Sequence, residues 1–495
     1  YGSRAANGVV IVTTKNGVDT QGVPQLDFSM NLGVQTPERY LSMLNAAQWA
    51  EVSTASRTAA GKPILDMAND LSTKEDNDWQ RIIMGNALMQ NYNASVKGGN
   101  KGYTYYVGLG YFNQDGVMKE TNYERFNIQA KSDYKRGWFT FGHNILLQMS
   151  TTLGPNTSDA GNISYLATTL FAIPTQAKYD PTRVGGYGHL YGDVFNNPHP
   201  LVNADRNLRK NDAKSYSVNA NIYAQMELPF GLKYKLTATP GFSFGDGMEY
   251  DGIYDTGLVR NAKTSLKRTT TKSNNILIEN IFTYDKTFGD HKVSALLGYT
   301  YQEDNYRYTM ASGMELPEGI YEITAATSNR NNDGTSSKSS LSSILSRVFY
   351  SYKNRYLFTA TLRRDGSSRF GSNNRYGNFP SFSLGWNMAE ESFMKKFEWL
   401  DQLKVRGGYG VLGNQEIGNY LYQSSVSSGM NYPNGKGGLD YGSFPKEFSS
   451  PSIRWEETAM TNIGLDMILL QNRLSFTGEY YIKNTKDILL TVPIP

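Results

Sequence analysis

YSVNANIYAQMELPFGLKYKLTATPGFSF, residues Tyr216–Phe244, decides the fold. In its first arm Tyr216, Val218, Ala220, Ile222, Ala224, Met226 and Leu228 share one face, while Ser217, Asn219, Asn221, Tyr223, Gln225 and Glu227 share the other. After Pro229-Phe230-Gly231 the alternation restarts. Leu232, Tyr234, Leu236, Ala238, Pro240, Phe242 and Phe244 are set against Lys233, Lys235, Thr237, Thr239, Gly241 and Ser243. A period of two is the signature of a β-strand half in and half out of an apolar medium, and a Pro-x-Gly between two such runs is turn chemistry. Each arm lasts about thirteen residues; at roughly 3.4 Å per residue and a tilt of about 40°, that rises over ~30 Å. Strands in soluble sheets average only ~5–6 residues, whereas these are long enough to cross an outer membrane.

The pattern recurs along the whole chain. It is readable at Leu26–Leu32, Tyr92–Val96, Tyr103–Phe112, Phe126–Ala130 and Phe139–Met149, and again at Ile276–Tyr284, Val293–Tyr301, Val348–Tyr352 and Tyr356–Leu362. Phe382–Trp386, Leu403–Val411, Ile463–Leu469 and Leu474–Ile482 complete a set of about fifteen strands. The gaps alternate too. Gly98–Gly102, Tyr134–Gly137, Pro229–Gly231, Lys286–Asp290, Lys353–Arg355 and Gln471–Arg473 are tight. Thr36–Met89, Ser150–Lys214, Gly245–Lys272, Asp304–Ser340, Asp365–Gly377 and Gly413–Trp455 are long. Short turns on one rim and long loops on the other are the periplasmic and extracellular sides of an outer-membrane barrel; a soluble sandwich does not require that parity. Two gaps fit less well: Asp115–Asn122 is short for its set, and Ala389–Gln402, with Glu390, Glu391, Lys395 and Lys396, predicts a small periplasmic helix.

Composition agrees. Of the 495 residues 39% are hydrophobic and mean hydropathy is −0.50, yet 13% are aromatic, 35 of them Tyr, and 19% are charged, below the roughly 25% of an ordinary soluble domain. No apolar run nears the ~20 residues of a membrane helix. The absence of cysteine excludes disulfides and thiolate metal sites. A net charge of +4 without basic blocks argues against nucleic acid as a partner.

Longer strings resemble one family. YGSRAANGVVIVTTKNG (Tyr1–Gly17) looks like the segment that ends the plug domain in SusC/RagA-type TonB-linked outer-membrane proteins, with the first barrel strand following near Gln25. TYYVGLGYFNQDGV (Thr104–Val117), LRRDGSSRFGSNNRYGNFPSFSLGW (Leu362–Trp386), RGGYGVLGNQEIGNY (Arg406–Tyr420), PSIRWEETAMTNIGLDM (Pro451–Met467) and the run Asn472–Pro495 continue the likeness in the family's order. The resemblance implies an all-β fold: a transmembrane antiparallel β-barrel, here about fifteen strands of a twenty-two-stranded parent whose lumen holds a plug. Residues 1–20 would be the end of the plug, and 21–495 a C-terminally truncated barrel wall. An odd strand number is not used by bacterial single-chain barrels, so a fragment of a longer product is expected, without signal peptide, TonB box or most of the plug. The family also implies import of oligosaccharides or peptides across the outer membrane with a SusD-like lipoprotein, energised by the TonB complex. A siderophore or vitamin receptor, or a soluble carbohydrate-binding protein, is the competing reading.

Candidate ligand contacts are few. Asp365-Gly366-Ser367-Ser368-Arg369 sits where a strand meets the extracellular rim, and Arg363 falls on the face opposite Phe358, Ala360 and Leu362, toward the lumen. Arg363, Asp365 and Arg369 can hydrogen-bond a polar ligand or lock the loop by an ion pair. Tyr187 and Tyr191, among Gly and Asn in Thr182–His199, suit stacking on a sugar or partner, and equally loop packing. Gly408-Tyr409-Gly410-Val411-Leu412-Gly413 matches G-x-G-x-x-G but precedes a loop, not the helix a dinucleotide site needs. His143, His189, His199 and His291 have no ligand spacing. Glu456 and Glu457 are adjacent and so point to opposite faces of a strand. No catalytic residue, metal or cofactor is expected.

Overall fold

The computed structural model describes residues 14–155, 164–190, 197–445 and 449–490; residues 1–13, most of the plug-like string, fall outside them. Fifteen strands form one antiparallel sheet in chain order: β1 (Gln25–Gln35), β2 (Ala87–Asn100), β3 (Tyr103–Asp115), β4 (Asn122–Arg136), β5 (Phe139–Gly154), β6 (Arg209–Glu227), β7 (Leu232–Asp251) and β8 (Ser265–Phe288). β9 (His291–Met314), β10 (Ser328–Tyr352), β11 (Tyr356–Ser367), β12 (Tyr376–Asn387), β13 (Leu400–Asn414), β14 (Glu456–Leu469) and β15 (Leu474–Lys486) complete it. Every alternating segment read from the sequence lies inside one of these strands, save that Leu228 falls one residue past the end of β6. The sheet is open, with β1 and β15 at its two ends.

Register preserves the faces from strand to strand. Phe126 on β4 faces Met149 on β5, which faces Tyr216 on β6, which faces Phe244 on β7. One residue over, Asn127 faces Gln148 and Gln148 faces Ser217. The apolar face is the exposed one: Leu26 and Phe28 are 82% and 72% accessible, Leu297 55% and Ile344 53%. A sheet that leaves its hydrophobic side uncovered across fifteen strands has lipid for a solvent. The opposite face carries amides and hydroxyls that bond one another, such as Gln129 Nε2 to Asn144 Oδ1 (2.9 Å) and Asn221 Nδ2 to Thr239 Oγ1 (2.9 Å).

The turns obey the expected parity, but two long connections are far shorter than the alternation suggested. β8, β9 and β10 are 24, 24 and 25 residues long, and the links between β7 and β8 and between β9 and β10 shrink to 252–264 and 315–327. At about 40° of tilt, 24 residues rise about 60 Å, roughly twice the hydrocarbon thickness. The backbone ladder continues beyond the lipid, where nothing requires an apolar face, so Thr269–Lys272 and Ser336–Ser340 are strand without alternation. The helix expected within Ala389–Gln402 is a single 3-10 turn, Met388–Glu390. Its neighbour Glu391 is instead tied to the rim, accepting from Tyr356 Oη (2.6 Å) and Trp386 Nε1 (3.1 Å) and pairing with Arg355 (3.1 Å). Lys353 and Asn354, at φ 54° and 55°, make the neighbouring tight turn in the left-handed region.

Among the described residues the buried clusters lie in the long connections and the strand ends beside them. The segments 36–86, 155–208 and 252–264 contribute Trp79, Ile83, Tyr165, Tyr187, Leu201, Val202, Tyr254 and Val259 to one cluster. A helix at Ala46–Ala59 is capped by Asn45, whose side chain accepts from Gln48 N while Gln48 returns the bond. Ahead of β1, residues 14–24 lie against the polar face of the wall. Thr20 N and Gly22 N donate to Gly99 O (3.2 and 2.9 Å), Lys131 donates to Asn16, and a Cβ on Gly17 would strike the Tyr105 backbone.

Candidate functional site

At the long-loop rim the polar face of β9–β13 meets the segments 368–375, 415–445 and 449–455. Arg363 and Asp365 are two residues apart on β11 and so share that face. Arg363 Nε donates to Asp365 Oδ1 (2.7 Å) and its Nη2 to Ser343 Oγ (3.1 Å), and Ser343 is the direct cross-strand partner of Asp365. Asp365 is fully buried and held against Arg363, the arrangement that a locking ion pair requires. Arg363 remains partly accessible. It lines a lumen-side concavity of about 240 Å³ with Thr359, Thr361, Ser381, Ser383 and Asn462.

Arg369 joins two loops. Its Nη1 donates to Gln415 O (2.9 Å) and lies 3.3 Å from Glu416 Oε2. With Gln302, Asp304, Ser339, Gln415 and Glu416 it borders a polar cavity of about 260 Å³ at the rim. Carboxylates, amides and hydroxyls around one cationic fork can hold a hydroxyl-rich or peptide-like ligand by hydrogen bonds alone.

Beneath this cavity lies an anchor that the sequence reading missed. Phe370, fully buried, packs against Trp455 with ring centroids 5.0 Å apart, and Phe379 lies 5.4 Å from Trp455 on its other side. Trp455 Nε1 donates to Arg375 O (3.1 Å), pinning 368–375 to the start of β14. The glycine string belongs to the same packing. A Cβ on Gly413 would overlap the Phe379 ring, so the residue is glycine because an aromatic ring occupies its side-chain space. Aromatics quoted as motif letters, Phe370 in SSRF and Trp455 in RWEE, were the available signal.

Tyr187 packs inward. It is 9% exposed, donates to Asp205 Oδ2 (2.8 Å) and stacks near His199 and Tyr179; burial pushes its phenol well above the ordinary range. Its contacts are those of loop packing. Tyr191 lies outside the described residues. His199 is fully buried beside Trp79 (5.1 Å), with Nε2 at Ala177 O and Nδ1 accepting from Leu201 N. Desolvation lowers its pKa to about 4, so it is neutral at physiological pH. Among the described residues no cluster of His, Asp and Glu is arranged to hold a metal ion.

Lower on the polar face, Arg406 bridges Asp466 (3.0 Å) and Glu479 (2.8 Å), stitching β13 to β14 and β15. The face thus carries hydrogen-bonded and ion-paired side chains, set among apolar ones such as Leu277, Phe349 and Leu357.

The geometry has counterparts in known proteins. A family model described as TonB dependent receptor-like, beta-barrel, matches residues 250–495. TonB-dependent receptor P3 of Formosa agariphila is 32% identical over 518 residues, aligned with all of this chain and 48% of its own length. TonB-dependent receptor SusC of Bacteroides thetaiotaomicron is 28% identical over 519 residues, aligned with all of this chain and 50% of its own. The chain therefore spans about half the length of the curated relatives it matches. Among solved structures, the RagAB peptide transporter superimposes with a TM-score of 0.85 at 22% identity, over all of this chain and 58% of that one; at that identity the likeness is one of fold.

Proposed function

The chain belongs to the TonB-dependent receptor family, and from that premise we propose that the protein it forms imports oligosaccharides or peptides through the outer membrane in company with a SusD-like surface lipoprotein. TonB-dependent receptors are outer-membrane β-barrel proteins, and the uncovered apolar face of this sheet places its wall in that membrane. One observation carries the transport reading: the same wall turns an apolar side to lipid and on its other face carries hydrogen-bonded amides and hydroxyls and ion pairs. Such a surface gives polar solute a route past the hydrocarbon, and a wide lumen built this way needs a plug to avoid leaking. Residues 1–20 fit the end of that plug and 21–495 the wall. The close run of residues 14–24 along the polar face supports this division.

In this reading the TonB complex supplies the work through a segment of the plug, and the chain performs no catalysis and binds no cofactor. Arg369 and Arg363 meet substrate at the rim, Asp365 holds Arg363 in place, and Tyr187 keeps the loop cluster folded. The test is uptake of labelled oligosaccharides and oligopeptides by cells carrying the full-length protein, with and without its SusD-like lipoprotein. Uptake that requires both proteins and falls in Arg369→Ala supports the assignment. Growth restored under iron limitation by a ferric siderophore, with no glycan or peptide entering, overturns it in favour of a siderophore receptor.

A further inference from the structure

The lipid face of the wall is not uniform. Across β4–β7 Phe126, Ile128, Leu147, Met149, Val218 and Phe242, with Tyr216 at the upper edge, line a shallow groove of about 270 Å³. These side chains form two successive rows of the ladder. Both rows run on into β8 and β9, where their chemistry changes. The row Phe126–Met149–Tyr216–Phe244 continues to Lys272 and then Arg307, and the row Ile128–Leu147–Val218–Phe242 continues to Asn274 and Asn305. Lys214 stands two residues above Tyr216 on the same face of β6, about 7 Å farther from the membrane centre along the strand.

Lys214, Lys272 and Arg307 are all exposed, and none makes an ion pair among the described residues. Lys272 and Arg307 are direct cross-strand partners, a placement that destabilises a sheet unless an anion lies between the two charges. The nearby acids do not supply it. Glu303 is held by Lys338 (2.8 Å) and by Tyr301 and Asn305, and Asp246 stands across the ladder from Lys214, beyond the row of Lys272 and Arg307. The cations sit where the apolar alternation of β8 and β9 ends, twelve residues along β8 from Tyr284, a rise of about 30 Å at a tilt of about 40° and so about one hydrocarbon thickness from the tight-turn side.

We infer that this patch is a binding site for an anionic, phosphate-bearing lipid of the outer leaflet, its acyl chain in the groove and its phosphate between Lys272 and Arg307, with Lys214 alongside. The continuity of groove and cations selects a lipid over a free anion. An apolar slot contributes nothing to inorganic phosphate, and an uncharged lipid leaves the like charges facing each other.

The experiment uses the full-length protein in mild detergent, with bound lipid counted by native mass spectrometry. Phosphorylated lipid A, dephosphorylated lipid A and inorganic phosphate are the probes. Phosphorylated lipid A is retained, the dephosphorylated form is retained at least about tenfold less, and Lys272→Gln with Arg307→Gln removes that preference, as two interfacial cations at about 1 kcal/mol each require. Lys272→Arg with Arg307→Lys keeps the preference, and Phe242→Ser weakens both lipids alike. Unchanged heat-modifiable migration in gels establishes that each variant is folded. Equal retention of the two lipid forms, indifference to the double Gln variant, or displacement of the lipid by millimolar inorganic phosphate would overturn the assignment.

Discussion

The wall and the loop cluster above it are folded from one chain against two solvents. In the wall large apolar side chains such as Leu26, Phe28, Leu297 and Ile344 stand outside, and amides and hydroxyls bond one another on the inner face. In the cluster Ile83 and Val202 are fully buried and Trp79 almost so, as in a water-soluble domain. Where lipid covers the apolar face, the backbone ladder and the membrane hold the structure; where water does, a packed core must. The two regions therefore fail under different insults.

The largest expected effect separates them at the anchor of the rim. Phe370→Ala removes a fully buried ring and costs about 3–5 kcal/mol locally. Hydrogen exchange should show 368–375 and the start of β14 opening, while heat-modifiable migration of the wall is unchanged. Loss of the wall's migration in that variant would break the comparison. The converse variant, Leu297→Arg, puts a charge on an exposed wall position. That is neutral for a soluble sheet and costs about 2–4 kcal/mol at the bilayer midplane, so reduced folding into vesicles with intact loops is expected.

Acid sharpens the contrast. His199 has a folded pKa of about 4 against the ordinary value near 6.5. Between those values the unfolded cluster takes up a proton that the folded one refuses. Stability is complete above about pH 6.5 and is lost as pH falls toward 4, by on the order of 3 kcal/mol in all. Limited proteolysis of the loops at pH 5 and pH 7.5 reads this directly, and His199→Gln flattens the profile. The smallest effect is Tyr187→Phe, which leaves the ring packed and removes one hydrogen bond to Asp205. About 1 kcal/mol of loop stability is expected to go, with uptake unchanged. A large loss of uptake at wild-type loop stability would instead make Tyr187 a ligand contact.

Reading along the chain located the fifteen strands of the large sheet but not their ends, and it missed the short two-stranded ribbons of the loops, such as Tyr254–Asp255 with Arg260–Asn261. Apolar alternation marks only the stretch in lipid; beyond it β8–β10 continue on backbone hydrogen bonds that any residue can make, and Thr269–Lys272 leaves no trace of being strand. At the rim, the sequence placed Arg363 on the polar face and Asp365 beside it, yet whether the pair bound ligand or each other depended on Ser343, twenty residues away. Phe370, Phe379 and Trp455 were visible as letters, but their meeting required loops closed over the end of the sheet.

What the sequence alone determined is therefore the wall: a period of two, repeated through Tyr216–Phe244 and its fellows, sorts side chains between lipid and lumen because the pleat itself does so. What only the tertiary structure decided is everything that depends on non-local neighbours: the inward packing of Tyr187, the lock of Arg363 on Asp365, and the meeting of Lys272 and Arg307 on adjacent strands. Alternation is a property of one strand, whereas a site is a property of register and loop closure, and those are set by residues far apart in the chain.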